Sequence, residues 1–238
     1  MDKKICLITG ANSGIGKAAS LQMLQKGYYV VMACRDEERG NEALLDAIKQ
    51  SGSDAAELLV IDMALQSSVR SAARVFKERH GTLDVLISNA AAFDVSQKVP
   101  LKTAEGIETI WATNHLGPVL LVDELTEPLR RSGSARILTV ASQGLVLHPG
   151  LRVDLDDPES EKRPFHVSKA YYQSKLAQVM FTYWLADKLK LEGITVNCVR
   201  VTNVKIDINR YPNLSHIAQW AYAIKSKKSI SPEQMAET

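Results

Sequence analysis

Lys4-Ile5-Cys6-Leu7-Ile8-Thr9-Gly10-Ala11-Asn12-Ser13-Gly14-Ile15-Gly16-Lys17 is the stretch that decides the fold. Lys4–Thr9 is an apolar run of strand length. Gly14–Lys26, with Ala18, Ala19, Leu21, Met23 and Leu24 at its apolar positions, reads as a helix. Between them the glycines follow a G-x-x-x-G-x-G spacing. Such a turn lets a pyrophosphate approach the backbone closely and meet free N–H groups at the positive end of a helix dipole. A glycine triplet alone is often only a turn. The strand before it and the helix after it point this one to a dinucleotide.

Outward from this unit, short apolar runs alternate with helical patterns. Strands are predicted at Lys4–Thr9, Tyr28–Ala33, Glu57–Ile61, Leu83–Ser88, Arg136–Ala141 and Thr195–Arg200. Helices are predicted at Gly14–Lys26, Glu37–Gln50, Ser67–Arg79 (capped by Gln66 or Ser67), Thr103–Arg131 (interrupted near Gly117-Pro118) and Val167–Leu191. Repeated βα units with strands rich in Val, Ile and Leu predict an α/β fold. It is a single Rossmann-type, doubly wound parallel sheet with helices on both faces, one domain over residues 1–238. Leu145–His166, rich in Pro and Asp, is too long for an ordinary connection and is predicted to be a substrate-side loop.

Composition narrows the function. The chain of 238 residues is 45% hydrophobic and 24% charged, which excludes a disordered chain or a disulfide scaffold. A net charge of +2 argues against a nucleic-acid binder. No apolar run approaches the ~20 residues of a membrane span, and the early glycine turn leaves no room for a signal peptide. Cys6, Cys34 and Cys198 lack metal-like spacing and read as reduced thiols in a cytoplasmic protein. His148, His166 and His216 have no metal-like partners, so no metal is expected. Lys225, Lys227 and Lys228 read as a solvated cluster.

The second strand leads into Ala33-Cys34-Arg35-Asp36. An acidic residue here binds the ribose diol of NAD, whereas a cation suits the 2′-phosphate of NADP. Arg35, with Lys17 beside the last glycine, points to NADP(H) rather than NAD(H). The alternative is that Arg35 pairs with Asp36 or Glu37, and that Asp36 only caps the next helix. Ser142 ends the fifth strand, and Tyr171 and Lys175 lie one helical turn apart. A phenol beside a lysine ammonium is a candidate acid/base for a carbonyl or alcohol, and a serine hydroxyl can orient the same oxygen. By spacing alone, Tyr172 rivals Tyr171.

These motifs, in this order, resemble the short-chain dehydrogenase/reductase family from Lys4 to about Cys198. Thr9–Gly16 is similar to T-G-x-x-x-G-x-G, and Ser88-Asn89-Ala90-Ala91 stands in place of N-N-A-G. Asn114 stands where the family's relay Asn stands, and Tyr171…Lys175 resembles Y-x-x-x-K, which selects Tyr171. The resemblance implies Asn114, Ser142, Tyr171 and Lys175 as catalytic residues, with Lys175 also holding the nicotinamide ribose. It implies cofactor contacts from Gly10, Asn12, Ser13, Gly14, Ile15, Gly16, Arg35, Asp62, Met63, Asn89, Ala90, Ala91, Tyr171, Lys175 and Val204, with Asp62 meeting the adenine.

Ala33–Asp36 with Arg39-Gly40, Thr103-Ala104-Glu105-Gly106 leading to Asn114-His115-Leu116-Gly117, and Ser174-Lys175-Leu176-Ala177 are similar to the retinol dehydrogenase-like branch. That branch implies NADP(H) and a lipophilic carbonyl or alcohol substrate. The wider family resemblance implies a homodimer built on the helices at Thr103–Arg131 and Val167–Leu191, where Tyr183 and Trp184 could face a partner as easily as a core. The chain departs from the family after the sixth strand. Val201-Thr202 replaces Pro-Gly and Ile206 replaces Thr. Ser231–Thr238 reads as the start of a helix that normally precedes a seventh strand and tail, which are expected to be missing. These departures support an alternative, a binding or regulatory protein with weakened cofactor affinity and little turnover.

Overall fold

The computed structural model describes residues 3–205, 226 and 229–237. Strands β1 (Ile5–Thr9), β2 (Tyr29–Cys34), β3 (Ala56–Val60), β4 (Val85–Ser88), β5 (Arg136–Ser142) and β6 (Thr195–Val201) form one parallel sheet in the order β3-β2-β1-β4-β5-β6. The order runs outward in opposite directions from β1 and β4. The crevice at their carboxyl ends is where such sheets take ligands. Register places Thr9 beside Ala33, Ser88 beside Thr139 and Ser142 beside Val201. Gly10, Arg35, Asn89 and Ser142 therefore emerge along one edge.

Helices α1 (Gly14–Gln25) and α2 (Glu37–Ser51) cover one face, over Cys6, Ile8, Val30 and Met32. Helices α3 (Gln66–Arg79), α5 (Gly117–Ser132) and α6 (Val167–Leu189) cover the other, over Leu7, Val31, Leu86 and Ile137. Alternating strand residues feed the two cores, as burial on both faces requires. Asp36 caps α2 by accepting from Arg39 N at 3.0 Å.

Two local expectations are corrected and one is made specific. The helix expected from Thr103 begins only at α4 (Thr109–Trp111). Thr103–Glu108 is a turn in which the Thr103 hydroxyl accepts from Glu105 N and Ile107 N and Gly106 takes φ +80°. The Glu108 carboxylate then accepts from Trp111 N and starts the helix. The interruption expected near Gly117-Pro118 is a π-helical turn, Ala112–Leu116, immediately before that pair. A β-carbon on Gly117 would lie 2.3 Å from Met63 O, so only glycine lets this helix approach the segment after β3. Neither Gln66 nor Ser67 caps α3. Glu105 reaches across from the Thr103 turn and accepts from Gln66 N at 2.7 Å and Ser67 N at 3.0 Å. This assigns a structural task to the Thr103–Gly106 motif.

Among the described residues the sheet ends at β6. Ile230 makes a parallel bridge to Val204 beyond that strand, and the short helix Pro232–Ala236 packs on α1, where Gln22 Nε2 donates to Glu233 O at 3.0 Å and Met235 is buried. Ile206, His216, Lys225, Lys227 and Lys228 lie outside the described residues.

Candidate active site

The turn after β1 is locked to the segment after β4. The Thr9 hydroxyl accepts from Asn89 N and Ala90 N, both at 3.0 Å, and Asn89 Nδ2 donates to Thr9 O at 2.9 Å. A β-carbon on Gly16 would lie 2.4 Å from Gly10 O and 2.6 Å from Asn89 Nδ2. The opposite side of the turn is open. Nothing lies within 4 Å of a β-carbon placed on Gly14, and the Ser13 side chain makes no capping bond to α1. Free amides at a long helix start, backed by a closed wall and faced by open space, fit a dinucleotide phosphate. Ala91 is exposed beside this wall.

Asp62 follows β3. Its N–H donates to Ser68 Oγ at 2.9 Å, and its Oδ1 accepts from Ala64 N at 2.9 Å. Met63 is buried beneath Gly117. Arg35 is exposed at the end of β2 and makes no ion pair among the described residues. Asp36 is committed to the α2 cap. Lys17 is placed differently from expectation. It pairs with Asp46 on α2 at 2.5 Å and is drawn away from the phosphate side. Val204 offers backbone. The Ile230 bridge uses Asn203 O and Lys205 N, so the Val204 N–H and C=O point away from Ile230.

Ser142 is the last residue of β5, half-buried, and its Oγ accepts from Gly144 N at 3.2 Å. Tyr171 and Tyr172 occupy different surroundings on α6. The Tyr172 hydroxyl packs against Gly144, and its ring lies 4.4 Å from that of His148. The Tyr171 ring lies 4.4 Å from Phe93, and the Lys175 ammonium sits 6.0 Å from its centroid. The lysine therefore accompanies Tyr171. Lys175 is only 2% exposed. Its Nζ donates to Val140 O at 2.7 Å and Gln178 Oε1 at 3.2 Å, and burial pushes its ammonium down to about 8.

Asn114 is fully buried in the π turn, a deformation often found at functional sites. Its Oδ1 accepts from Ala92 N at 2.6 Å, and its Nδ2 donates to Ala92 O and to Ser174 Oγ, both at 3.0 Å. The side chain thus clamps the segment after β4 to α6. Beside it, burial pushes the His115 imidazole down to about 4, so that ring is neutral near pH 7.

Phe93 and Gln178 contribute to the site without having been singled out from the sequence, and Ser174 is legible there only as part of a motif, with no role. For Ser174 and Gln178 the available signal was a polar residue one turn or less from Lys175 on the face that α6 must bury. The segment after β5 opens with a 3-10 turn, Gln143–Leu147, and is tied down elsewhere. Arg163 bonds Asp154, the Asp157 carbonyl and Gln173, while Lys102 Nζ holds Glu159 at 2.7 Å. A groove of about 260 Å³ lined by Gln97, Lys98, Phe165, His166, Val167 and Ser168 opens one turn before Tyr171. A larger groove of about 380 Å³ runs along the β3 edge, away from Ser142 and Tyr171.

A family model described as short chain dehydrogenase matches residues 4–150. The chain belongs to this family. It is an oxidoreductase of the alcohol/carbonyl type, and the family fold takes a nicotinamide cofactor. Human retinol dehydrogenase 11 is 33% identical over 235 residues, covering 99% of this chain and 71% of that protein. The chain also superposes on L-sorbose reductase from Gluconobacter frateurii, solved with NADPH and L-sorbose, with a TM-score of 0.78 at 22% identity, covering 100% of this chain and 88% of that one. An NAD+-bound xylitol dehydrogenase gives a TM-score of 0.68 at 22% identity, covering 87% and 72%. Both structures share the fold and differ in the cofactor they carry. No helix among the described residues is long and apolar enough to cross a membrane.

Proposed function

We propose that the chain is an NADP(H)-dependent oxidoreductase interconverting a carbonyl and an alcohol on a lipophilic small molecule. The observation that carries this reading is the pairing of Tyr171, rather than Tyr172, with the buried Lys175 ammonium on the helix packed against β5. The nicotinamide, when bound, supplies or accepts the hydride. Gly10, Asn12, Ser13, Gly14, Ile15 and Gly16 hold its phosphates. Asp62, Met63, Asn89, Ala90, Ala91 and the Val204 backbone line its length, and Arg35 takes the 2′-phosphate. Tyr171 gives a proton to the carbonyl oxygen in reduction and removes it from the alcohol in oxidation. Ser142 Oγ donates to the same oxygen and fixes its orientation. The Lys175 charge favours the phenolate, and Asn114, whose side chain is used by Ala92 and Ser174, has its backbone for the proton relay.

Three further features support parts of this reading. The exposed Val146, Leu147 and Leu155 of the substrate-side loop suit a lipophilic substrate. Met180, Tyr183 and Trp184 are exposed on α6, the last two at 76% and 56%, which favours a homodimer through this helix. A light-scattering mass of one chain at micromolar concentration would refute the dimer. Burial pushes the Cys6 and Cys34 thiols up and makes them inert, in keeping with a reducing cytoplasm.

The test is incubation of the full chain with NADPH and a panel of aliphatic and aromatic aldehydes and ketones, and with NADP+ and the matching alcohols. Turnover with at least one pair is expected. No turnover in either direction, together with no measurable affinity for either NADPH or NADH in a calorimetric titration, would favour the binding or regulatory alternative.

A further inference from the structure

The face of α6 that meets the sheet carries Ser174, Lys175, Gln178 and Thr182, all buried. Buried polar groups persist where hydrogen bonds satisfy them. Here they form a closed circuit between two adjacent residues of β5. The Thr139 and Thr182 hydroxyls are 2.7 Å apart, and the Thr182 hydroxyl donates to Gln178 O at 2.8 Å. With that proton spent, Thr139 is the donor of the pair. The Gln178 side chain then turns back along the helix, where its Oε1 accepts from Lys175 Nζ at 3.2 Å, and Lys175 donates onward to Val140 O at 2.7 Å.

Gln178 is an awkward residue for this place. It is 1% exposed and its Nε2 has no hydrogen-bond partner among the described residues. Leucine or methionine would fill the space without leaving an amide unsatisfied. What neither could supply is an acceptor for a buried ammonium. Lys175 has three N–H groups, two of which are used by Val140 O and Gln178 Oε1.

We propose that Gln178 is a positioning residue, which holds the Lys175 ammonium against β5 so that its remaining N–H meets the nicotinamide ribose. This rests on the role given to Lys175 above. Both acceptors are neutral, so they favour the charged amine without cancelling its charge. The other titratable groups facing this position are Cys198 on β6 and Tyr171 on α6 itself. β5 presents only the Val140 carbonyl, and the π turn presents Asn114 through Ser174 and the neutral His115.

The experiment is an equilibrium titration of the full chain with NADPH, followed by cofactor fluorescence, in a double-mutant cycle of Gln178→Met and Lys175→Met. Methionine conserves the volume of glutamine and removes the acceptor. In the Lys175 background Gln178→Met raises the NADPH Kd about three- to tenfold, less than the full worth of a hydrogen bond to a charged group because Gln178 acts on the cofactor only through the lysine. In the Lys175→Met background the same substitution leaves Kd within about 1.5-fold. Gln178→Asn, one methylene too short to reach Nζ, behaves like Gln178→Met and serves if the methionine variant folds poorly. An equal loss in both backgrounds, or failure of both Gln178 variants to fold, marks Gln178 as merely structural and overturns the proposal. No loss at Gln178→Met while Lys175→Met weakens binding overturns it alone. An unchanged Kd in Lys175→Met overturns the ribose role of the lysine itself.

Discussion

The two halves of the site are held in place by different physics. The cofactor side, around Gly10–Gly16 and Asn89-Ala90, is fixed by steric closeness and backbone hydrogen bonds, with no buried ionisable group taking part. The catalytic side, around Asn114, Ser174, Lys175 and Gln178, is fixed by buried polar side chains bonded to one another and to backbone. The first half tolerates no added atom at Gly16 but is indifferent to pH. The second tolerates changes of shape better than changes of charge. A phosphate cradle needs backbone N–H groups close to the ligand, and proton transfer needs a tuned charge, so the contrast matches the roles proposed for the two halves.

Gly16→Ala attacks the steric half most severely. Alanine is the better helix former, but its β-carbon would sit 2.4 Å from a backbone oxygen that cannot swing aside. The variant loses about 2–3 kcal/mol of stability in denaturant unfolding, equally at pH 6 and pH 8, and binds NADPH poorly. A loss that varied with pH would break the contrast between the halves.

His115 probes the electrostatic half. Its imidazole is held at about 4 in the folded chain and rises to its ordinary value when the chain unfolds. Between those values the unfolded state binds the extra proton. Stability is therefore full above about pH 6.5 and falls by about 2–3 kcal/mol as pH drops to about 4. His115→Phe keeps a ring against Trp111, removes the titration and flattens that part of the profile. An unchanged slope in the variant would show that other groups cause it.

Most of the frame was legible in the sequence, because apolar runs and the glycine turn report backbone requirements directly. The register that sets Ser142 at the sheet edge follows from those runs. The start of α4 was not legible. Thr103–Glu108 has helix-compatible composition, and only the Thr103 hydroxyl, the left-handed Gly106 and the Glu108 cap make it a turn. The pairing of Lys17 with Asp46 depends on how α1 and α2 lie together, which no local pattern encodes. Gln178 was hidden for the same reason. Its meaning lies in a contact with Lys175 that exists only once α6 is buried.

Arg35 gives the smallest effect and sharpens the boundary of the cofactor half, where exposed charge replaces packing. With Lys17 engaged elsewhere, the proposed preference for a 2′-phosphate rests on one guanidinium. Arg35→Ala lowers the ratio of NADPH to NADH affinity by about five- to thirtyfold, and added salt reduces the parent's preference. A parent that binds NADH more tightly, or a variant with an unchanged ratio, would return Arg35 to the solvated surface.

The most direct test is to measure kcat/KM and the NADPH Kd side by side in the parent and in Tyr171→Phe, on a carbonyl substrate found active in the panel. Phenylalanine keeps the ring against Phe93 and removes only the hydroxyl. The account predicts that kcat/KM falls by about 10²–10⁴ while the NADPH Kd stays within about twofold. A variant that turns over at the parent's rate would contradict it, because the proton would then travel without Tyr171.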